Sequence, residues 1–275
     1  MTTDAPEAAA PPQSPDAALD SDRTLVFEQP LSERMRTFLR LDFLYSQALY
    51  HNETASQWGT RAAVSSLIDI LAIIARSDVR SDALKELDRQ LTSLGEFQSK
   101  PGVDTNRLKA LIVNLTRLRS ELLNAGVANL QPLKDSEFLN AVKHRSSIPG
   151  GTCEFDLPDY LYWVSQPDES RVKAFNQWLT MLRPLCDAVS ELIWLIRQNG
   201  RTRQETAQGG NFTITFDREN PLQLLRIALP ASMGLYPEVS GSHHRCNMRF
   251  LSWKGLGERA TQADSDVQFL LTCCT

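Results

Sequence analysis

The residues best suited to chemistry lie near the C-terminus, where histidines and cysteines gather in two short stretches. They are His243, His244, Cys246, Cys273 and Cys274. Imidazole and thiolate groups together suit zinc. Their spacing matches no standard zinc site, and two adjacent cysteines are a poor pair of ligands for one ion. We therefore expect no metal here, and we interpret these residues as a basic loop and half-buried strand thiols.

The sequence contains no recognisable enzyme motif. The glycine pairs Gly150-Gly151 and Gly209-Gly210 lack the following Lys-Ser/Thr or the spaced glycines that cradle phosphates. None of the four histidines lies in HExxH or beside a GxSxG nucleophile. We interpret both glycine pairs as turns, and we expect neither a cofactor nor enzymatic activity.

Four local clusters of basic residues remain on a chain whose net charge is −4. They comprise Arg34, Arg36 and Arg40; Lys143, His144 and Arg145; Arg197, Arg201 and Arg203; and His243, His244, Arg245 and Arg249. Each cluster alone is typical of a solvated face, and the third follows a helix end, where cations are favoured anyway. Together they favour an acidic peptide as partner.

Nucleic acid is the alternative partner for these clusters. An isoelectric point of about 5.7 gives no general attraction to a phosphate backbone. The sequence also lacks aromatic residues interleaved with arginines, which would stack on exposed bases. We therefore expect no nucleic acid, and we keep a nucleic-acid-binding protein as the second hypothesis.

The elements that must position these charges are mainly helices up to about residue 200. Apolar residues recur at three- and four-residue steps in five stretches, which predict helices near 32–49, 64–74, 84–94, 108–122 and 171–198. A further helix is predicted from 135 to 145, and Pro184 should kink or split the last long one. Ser32 is a plausible N-cap for the first helix. Arg36 and Arg40 are four residues apart and should share its exposed face.

Beyond Gly200 the apolar period changes to two, which predicts β-strands. Residues 212–216 and 225–229 should form a strand pair joined near Asn220-Pro221. Two more strands are expected near 245–250 and 267–271, and Arg245 and Arg249 should lie on one face of the first of these. The fold class is therefore α+β, a helical domain beside an antiparallel β domain.

The domain organisation follows from these patterns. Residues 1–22 are rich in Ala, Pro, Asp and Ser, and we expect a disordered N-terminal tail. Residues 23–200 should form the mainly helical domain, with 25–29 and 152–158 contributing strands to the β domain. Residues 201–275 should form that β domain. Without a secretion signal or a long enough apolar stretch, the chain is expected to be cytoplasmic and not bound to membrane.

Several blocks of sequence, in a fixed order, resemble the ZapD (Z-ring-associated protein D) family. The blocks are 26–31 (VFEQPL), 35–40 (MRTFLR), 84–90 (LKELDRQ), 101–104 (PGVD), 147–151 (SIPGG), 153–158 (CEFDLP), 235–237 (LYP) with Ser240-Gly241, and the closing Cys273-Cys274. The resemblance covers nearly the whole chain after the N-terminal tail. It implies a helical domain beside a β domain and a homodimer.

By the same resemblance, the protein binds the C-terminal tail of the division protein FtsZ, bundles FtsZ protofilaments, supports Z-ring assembly and lowers the GTPase activity of FtsZ. It would be recruited to mid-cell. Arg40 matches a basic position of the family's opening motif, and the other contacts expected for the acidic tail are Arg36, Lys143, Arg145, Arg203, Arg245 and Arg249. The chain departs from the family pattern at Glu137 and Leu161, where the family carries a basic residue and a histidine.

Overall fold

A computed structural model describes residues 23–54, 56–98, 100–216, 222–241 and 244–275. The predicted disordered tail at 1–22, the turn at Asn220-Pro221 and His243 lie outside the described residues. Within them, the α+β prediction is confirmed, with helices toward the N-terminus and antiparallel strands toward the C-terminus.

Eight α-helices occur in the part of the chain that the structure describes. They are α1 (Glu33–Glu53), α2 (Gln57–Arg76), α3 (Val79–Phe97), α4 (Thr105–Ala125), α5 (Gln131–Lys134), α6 (Glu137–Ser146), α7 (Pro158–Val164) and α8 (Asp168–Gln198). Short 3-10 helices cover Val127–Leu130 and Ala231–Met233. Pro184 was predicted to kink or split the last long helix. A split is wrong, because α8 runs through Pro184 as one element, and a kink stays a prediction.

The strands are β1 (Thr24–Pro30), β2 (Arg201–Ala207), β3 (Asn211–Thr215), β4 (Leu224–Pro230), β5 (Leu235–Gly241), β6 (Arg245–Ser252), β7 (Thr261–Gln262) and β8 (Val267–Cys274). One sheet has the order β1-β4-β8-β2, and the other has the order β3-β6-β5 with β7 also on β6. The predicted β3–β4 pair is therefore wrong. β3 pairs with β6 and belongs to the other sheet.

The predicted strand at 152–158 is also wrong. This segment is a series of turns that leads into α7 at Pro158. The backbone N–H of Leu157 donates to the carbonyl of Cys153, and the Cys153 thiol lies 3.4 Å from Asp156 Oδ2. The side chain of Phe155 is 86% exposed, so it gives the segment no buried face.

The chain forms two compact units that interleave along the sequence. The helical unit comprises Pro30–Arg201, Arg218–Leu224 and Cys274–Thr275, and the β unit comprises Met1–Gln29, Thr202–Asp217 and Leu225–Cys273, as far as these ranges are described. The hydrophobic core of the helical unit contains apolar residues from all eight α-helices. Its fully buried members include Phe38, Leu67, Leu87, Leu115 and Leu192. In the β unit, Phe269 of one sheet meets Phe250 of the other, with 4.8 Å between ring centroids.

Candidate functional site

The first helix separates an apolar face from a charged one. Ser32 caps it, and the Ser32 Oγ accepts a 3.1 Å hydrogen bond from the backbone N–H of Met35, which confirms the predicted N-cap. Met35 and Phe38 are fully buried. The charged face carries Arg36 and Arg40, as their spacing predicts. Arg36 forms an ion pair with Glu33 at 3.2 Å, whereas Arg40 lies exposed one turn later.

Arg40 lines a groove between α1 and α2. The groove has a volume of about 510 Å³. Its lining from α1 is Thr37, Arg40, Phe43 and Leu44, and its lining from the end of α2 is Asp69, Ala72, Ile73, Arg76 and Ser77. These positions recur at three- and four-residue steps, so each helix contributes one stripe of side chains. The groove therefore combines an apolar surface with charges at fixed places.

The charges of this groove are two arginines and one carboxylate, Asp69. Phe43, which is 66% exposed, supplies a large apolar surface beside them. Such a surface suits a ligand that carries both carboxylates and apolar side chains, because arginine can pair bidentately with a carboxylate.

Arg76 also lines the groove, and its sequence pattern does not predict this position. It lies in the last turn of α2, where a cation is expected simply from the helix dipole. The signal that could have found it is the recurrence of polar Asp69 and Arg76 along one helical stripe with Ala72 and Ile73. The sequence does not show that this stripe faces α1.

Lys143 and Arg145 lie in the last turn of α6. Arg145 forms an ion pair with Asp156 at 3.3 Å, so part of its charge is neutralised within the protein. Lys143 is exposed, and the described residues provide no ion pair for it. Glu137 is exposed in the first turn of the same helix, and Leu161 is half-buried in α7.

The other three predicted contacts lie in the β unit. Arg245 and Arg249 share the exposed face of β6, opposite the buried Cys246, Met248 and Phe250, as predicted. Arg249 forms an ion pair with Glu238 of the neighbouring β5, and Arg203 in β2 pairs with Glu205 at 2.5 Å.

The seven predicted contacts are thus distributed over four elements, α1, α6, β2 and β6. Four of them, Arg36, Arg145, Arg203 and Arg249, form ion pairs with carboxylates of the same chain. Arg40 alone among the seven lines the groove between α1 and α2. All seven stay predictions, and the geometry gives Arg40 the strongest case.

The cysteines and histidines do not assemble into a ligand set within the part of the chain that the structure describes, where no three metal-ligating groups lie together. Burial raises the pKa of the Cys246 and Cys273 thiols, which disfavours the thiolate form that binds metals.

The second helix, α2, is the one described helix that is long and apolar enough to span a membrane by length and composition. Core helices of soluble proteins meet the same test. Eight residues of α2 are buried, and Val64, Leu67 and Ile70 among them are fully inaccessible. We therefore assign α2 to the protein core.

These features define the class: a two-unit α+β protein whose helical unit carries a charged, partly apolar groove. Sequence comparison then gives the family. A family model described as "ZapD: Cell division protein" matches residues 39–249. The cell division protein ZapD of Methylococcus capsulatus is 37% identical over 251 residues, which cover 91% of this chain and 98% of the relative.

Two further relatives agree in extent. The cell division protein ZapD of Yersinia pseudotuberculosis is 35% identical over 93% of this chain and 99% of its own length. The cell division protein ZapD of a Janthinobacterium species is 32% identical over 91% of this chain and 99% of its own length. The chain belongs to the ZapD family of cell division proteins, and this membership gives it a role in cell division.

Proposed function

We propose that this protein is a Z-ring-associated cross-linker that binds the acidic C-terminal tail of FtsZ in the groove between α1 and α2. In this proposal it acts in the cytoplasm at mid-cell as a homodimer, without catalytic chemistry of its own. It bundles FtsZ protofilaments, supports Z-ring assembly and lowers the GTPase activity of FtsZ.

The observation that carries the proposal is the position of Arg40. This residue matches the basic position of the family's opening motif, and it lines a groove that also holds Arg76 and the exposed ring of Phe43. Two arginines against the single carboxylate of Asp69 favour an acidic ligand over a basic one.

Two copies of the groove are needed for bundling. One exposed groove on a monomer would only decorate a filament, whereas two grooves on a homodimer can hold tails from two filaments. Once the first tail is bound, the second binding step is governed by the effective concentration of neighbouring tails. Weak peptide contacts then give strong cross-linking, and filaments held side by side are expected to exchange subunits and hydrolyse GTP more slowly.

The remaining predicted contacts differ in whether their charge is available for the tail. Lys143 is exposed in the last turn of α6, and Arg245 is exposed on β6, so each has a charge available for a tail. Arg36, Arg145, Arg203 and Arg249 would first have to exchange an internal carboxylate for one of the tail, which reduces their net gain.

Low-speed co-sedimentation with FtsZ and GTP tests this function. Full-length FtsZ is expected to pellet with the protein, and FtsZ without its C-terminal tail is expected to stay in the supernatant. Arg40→Glu should weaken pelleting, and Arg107→Glu is the matched control because Arg107 is also an exposed helical arginine but lies on α4, outside the groove.

Either of two results would contradict the proposal. Equal pelleting of full-length and tailless FtsZ would show that the tail is not the binding partner. Equal pelleting by the Arg40→Glu and Arg107→Glu variants would remove the α1–α2 groove from the site. Circular dichroism should confirm that both variants are folded, since an exposed helical charge contributes little to stability.

A further inference from the structure

The N-terminal extension, residues 1–22, carries the acidic charge of this chain. It has no lysine or arginine. Its five carboxylates are Asp4, Glu7, Asp16, Asp20 and Asp22. Since all 29 Lys and Arg and 28 of the 33 Asp and Glu lie in residues 23–275, that part has a net charge of +1, against −4 for the whole chain. The extension is therefore opposite in charge to the basic clusters of the rest of the chain.

The extension also lies where the resemblance to the ZapD family is missing. The alignments with the three relatives cover 98% to 99% of each relative but only 91% to 93% of this chain. The sequence blocks that resemble the family begin at residue 26. This chain thus contains residues that the relatives lack, and a function of the extension would be particular to this chain.

The α1–α2 groove presents two arginines whose charge is available. Arg40 and Arg76 are both exposed, and neither forms an ion pair within the part of the chain that the structure describes. Arg36, one turn earlier on α1, pairs instead with Glu33. The groove can therefore accept carboxylates from another segment, and arginine can pair with them bidentately.

The connectivity of the chain brings the extension within reach of Arg40. Residues 23–32 separate the extension from α1, and ten residues span at most about 36 Å. Arg40 is the eighth residue of α1, which adds about 12 Å along the helix axis. The extension itself can span up to about 70 Å. It is therefore long enough to bring Asp4 and Glu7 to Arg40, in whichever direction it leaves β1.

We infer that the acidic extension occupies the α1–α2 groove of its own chain when the FtsZ tail is absent, with its carboxylates paired to Arg40 and Arg76. The extension is thus an intramolecular competitor of the tail. The inference rests on the proposed function for the identity of the competing ligand, whereas the contact between the extension and the two arginines does not require FtsZ.

Tethering makes even a weak contact effective. A segment on a flexible linker meets its site at an effective concentration in the millimolar range. With an intrinsic dissociation constant between about 0.1 and about 1 mM, the extension would leave the groove free for roughly a tenth to a half of the molecules, and the apparent affinity for the tail would fall about two- to tenfold. The extension would then set the tail concentration that the groove requires.

Arginine modification tests the contact without FtsZ. The protein is treated with phenylglyoxal, which reacts with accessible guanidinium groups, and peptide mass spectrometry gives the rate at each arginine. The comparison is a neutral variant of the full chain with Asp4→Asn, Glu7→Gln, Asp16→Asn, Asp20→Asn and Asp22→Asn. Arg40 and Arg76 should react about two- to tenfold more slowly in the wild type than in this variant. Arg107, an exposed arginine of α4 outside the groove, should react equally in both.

Tail affinity tests the competition. The probe is a synthetic C-terminal tail of FtsZ from the same organism, and its binding is measured by fluorescence anisotropy. The neutral variant should bind the tail about two- to tenfold more tightly than the wild type. In an Arg40→Glu background the same neutralisation should have little effect, because the extension has lost its partner in the groove.

A charge-preserving variant is the matched control for both measurements. It carries Asp4→Glu, Glu7→Asp, Asp16→Glu, Asp20→Glu and Asp22→Glu. It keeps all five negative charges, so it should match the wild type in arginine protection and in tail affinity.

The outcomes separate this inference from the function on which it rests. If Arg40 and Arg76 react equally in the wild type and the neutral variant, the extension does not occupy the groove, and the inference is overturned whatever the tail affinity. If both arginines are protected but the neutral variant binds the tail no more tightly than the wild type, the competition is wrong. If they are protected and neither protein binds the tail, the contact stands and the proposed function is overturned.

Discussion

Arg40 on α1 and Arg76 in the last turn of α2 line the same groove, although they are far apart in the sequence. Neither forms an ion pair with a carboxylate among the described residues, so both charges are available to a ligand. Their proximity predicts that they act as a unit and that their effect depends on salt.

Charge reversal of both arginines should show this coupling. Arg40→Glu and Arg76→Glu should each weaken tail binding, and the double variant should weaken it by less than the product of the two single effects, because both act on the same bound carboxylates. The measurement is a double-mutant cycle of tail affinity by fluorescence anisotropy. If the effects of the two single substitutions on tail affinity simply multiply in the double variant, the two residues contact separate parts of the tail.

Salt dependence provides a second readout of the same pair. Between about 0.01 M and about 1 M salt the Debye length falls from about 30 Å to about 3 Å, so exposed charge pairs are progressively screened. Wild-type affinity should fall steeply over this range, and the double variant should have a flatter slope. Arg107→Glu should keep the wild-type slope.

Much of the helical unit could be predicted from the sequence because its helices bury one face. Apolar residues at three- and four-residue steps mark α1 to α4 and α8, and capping residues such as Ser32 mark their starts. The short helix α7 was missed, since seven residues provide fewer than two full repeats of the pattern.

In the β unit, the strands β2 and β5 were not predicted, and the partner of β3 was predicted wrongly. Each error has a physical cause. β2 has six exposed or half-buried residues out of seven, so it shows no apolar alternation. β5 contains Pro237, which argues against a strand in a sequence taken alone. The true partner of β3 is β6, and this long-range pairing leaves no local signal comparable to a tight hairpin turn.

In the candidate site, too, the features set by local periodicity could be predicted and those set by long-range packing could not. Arg40 could be found because its helix and exposed face follow from local periodicity. The position of Arg76 in the groove depends on which helix packs against which, and sequence periodicity does not contain that information.

Glu86 is the most deeply buried carboxylate among the described residues, and it joins distant parts of the helical unit. Its side chain is inaccessible and lies 2.6 Å from Arg89 Nη2 and 3.1 Å from Arg34 Nη2. The side-chain amides of Gln90 and Gln223 donate to it at 2.9 and 3.0 Å. Burial alone would raise the pKa of this carboxyl, but hydrogen bonds from Arg89, Gln223 and Gln90 and the charge of Arg89 lower it below its usual range.

Glu86→Gln should therefore destabilise the protein at neutral pH. Because the two arginines remain partly exposed, we expect a loss of about 1–3 kcal/mol in the free energy of unfolding, less than for a fully buried pair. Urea unfolding measures this loss. Glu121→Gln, which removes an exposed partner of Arg117, is the matched control and should cost less than about 1 kcal/mol.

The stability that Glu86 contributes should depend on pH, and the lowered pKa fixes the direction of this dependence. The lowered pKa means that the unfolded chain binds a proton at Glu86 more readily than the native protein does. The stabilisation is therefore complete above the unfolded pKa of about 4.3 and is lost as the pH falls below it. The stability difference between wild type and Glu86→Gln should narrow below about pH 4.3, and a constant difference down to about pH 3 would contradict the assignment.

Gly151 fixes the turn that replaces the predicted strand at 152–158. It is buried, and a Cβ at this position would lie inside van der Waals contact of the Arg145 carbonyl oxygen and of Ile148 Cβ. Gly151→Ala should therefore displace the segment between α6 and α7 and lower the unfolding midpoint by an amount equivalent to about 1–3 kcal/mol. Gly257→Ala is the control, because a Cβ there meets no atom. Equal midpoints for the two variants would contradict this close approach.

Arg61 on α2 also contacts this segment. Its Nη1 donates a 2.9 Å hydrogen bond to the carbonyl oxygen of Thr152. Its guanidinium carbon lies 4.8 Å from the ring centroid of Tyr160 and 5.7 Å from that of Trp58. A planar guanidinium can stack on an aromatic ring and donate a hydrogen bond at the same time, which an ammonium does less well.

Arg61→Met should keep most of the apolar contact and remove both polar interactions. We expect a loss of about 1–3 kcal/mol in the free energy of unfolding, with Arg61→Lys between Met and wild type because it keeps the charge. Urea unfolding followed by tryptophan fluorescence measures it, and Arg107→Met, at an exposed arginine of α4, is the control. If Arg61→Met is no less stable than Arg107→Met, the turn after α6 is held by Gly151 and the packing of α7 rather than by Arg61. If Arg61→Lys is as stable as wild type, charge rather than the stacked guanidinium plane holds the segment.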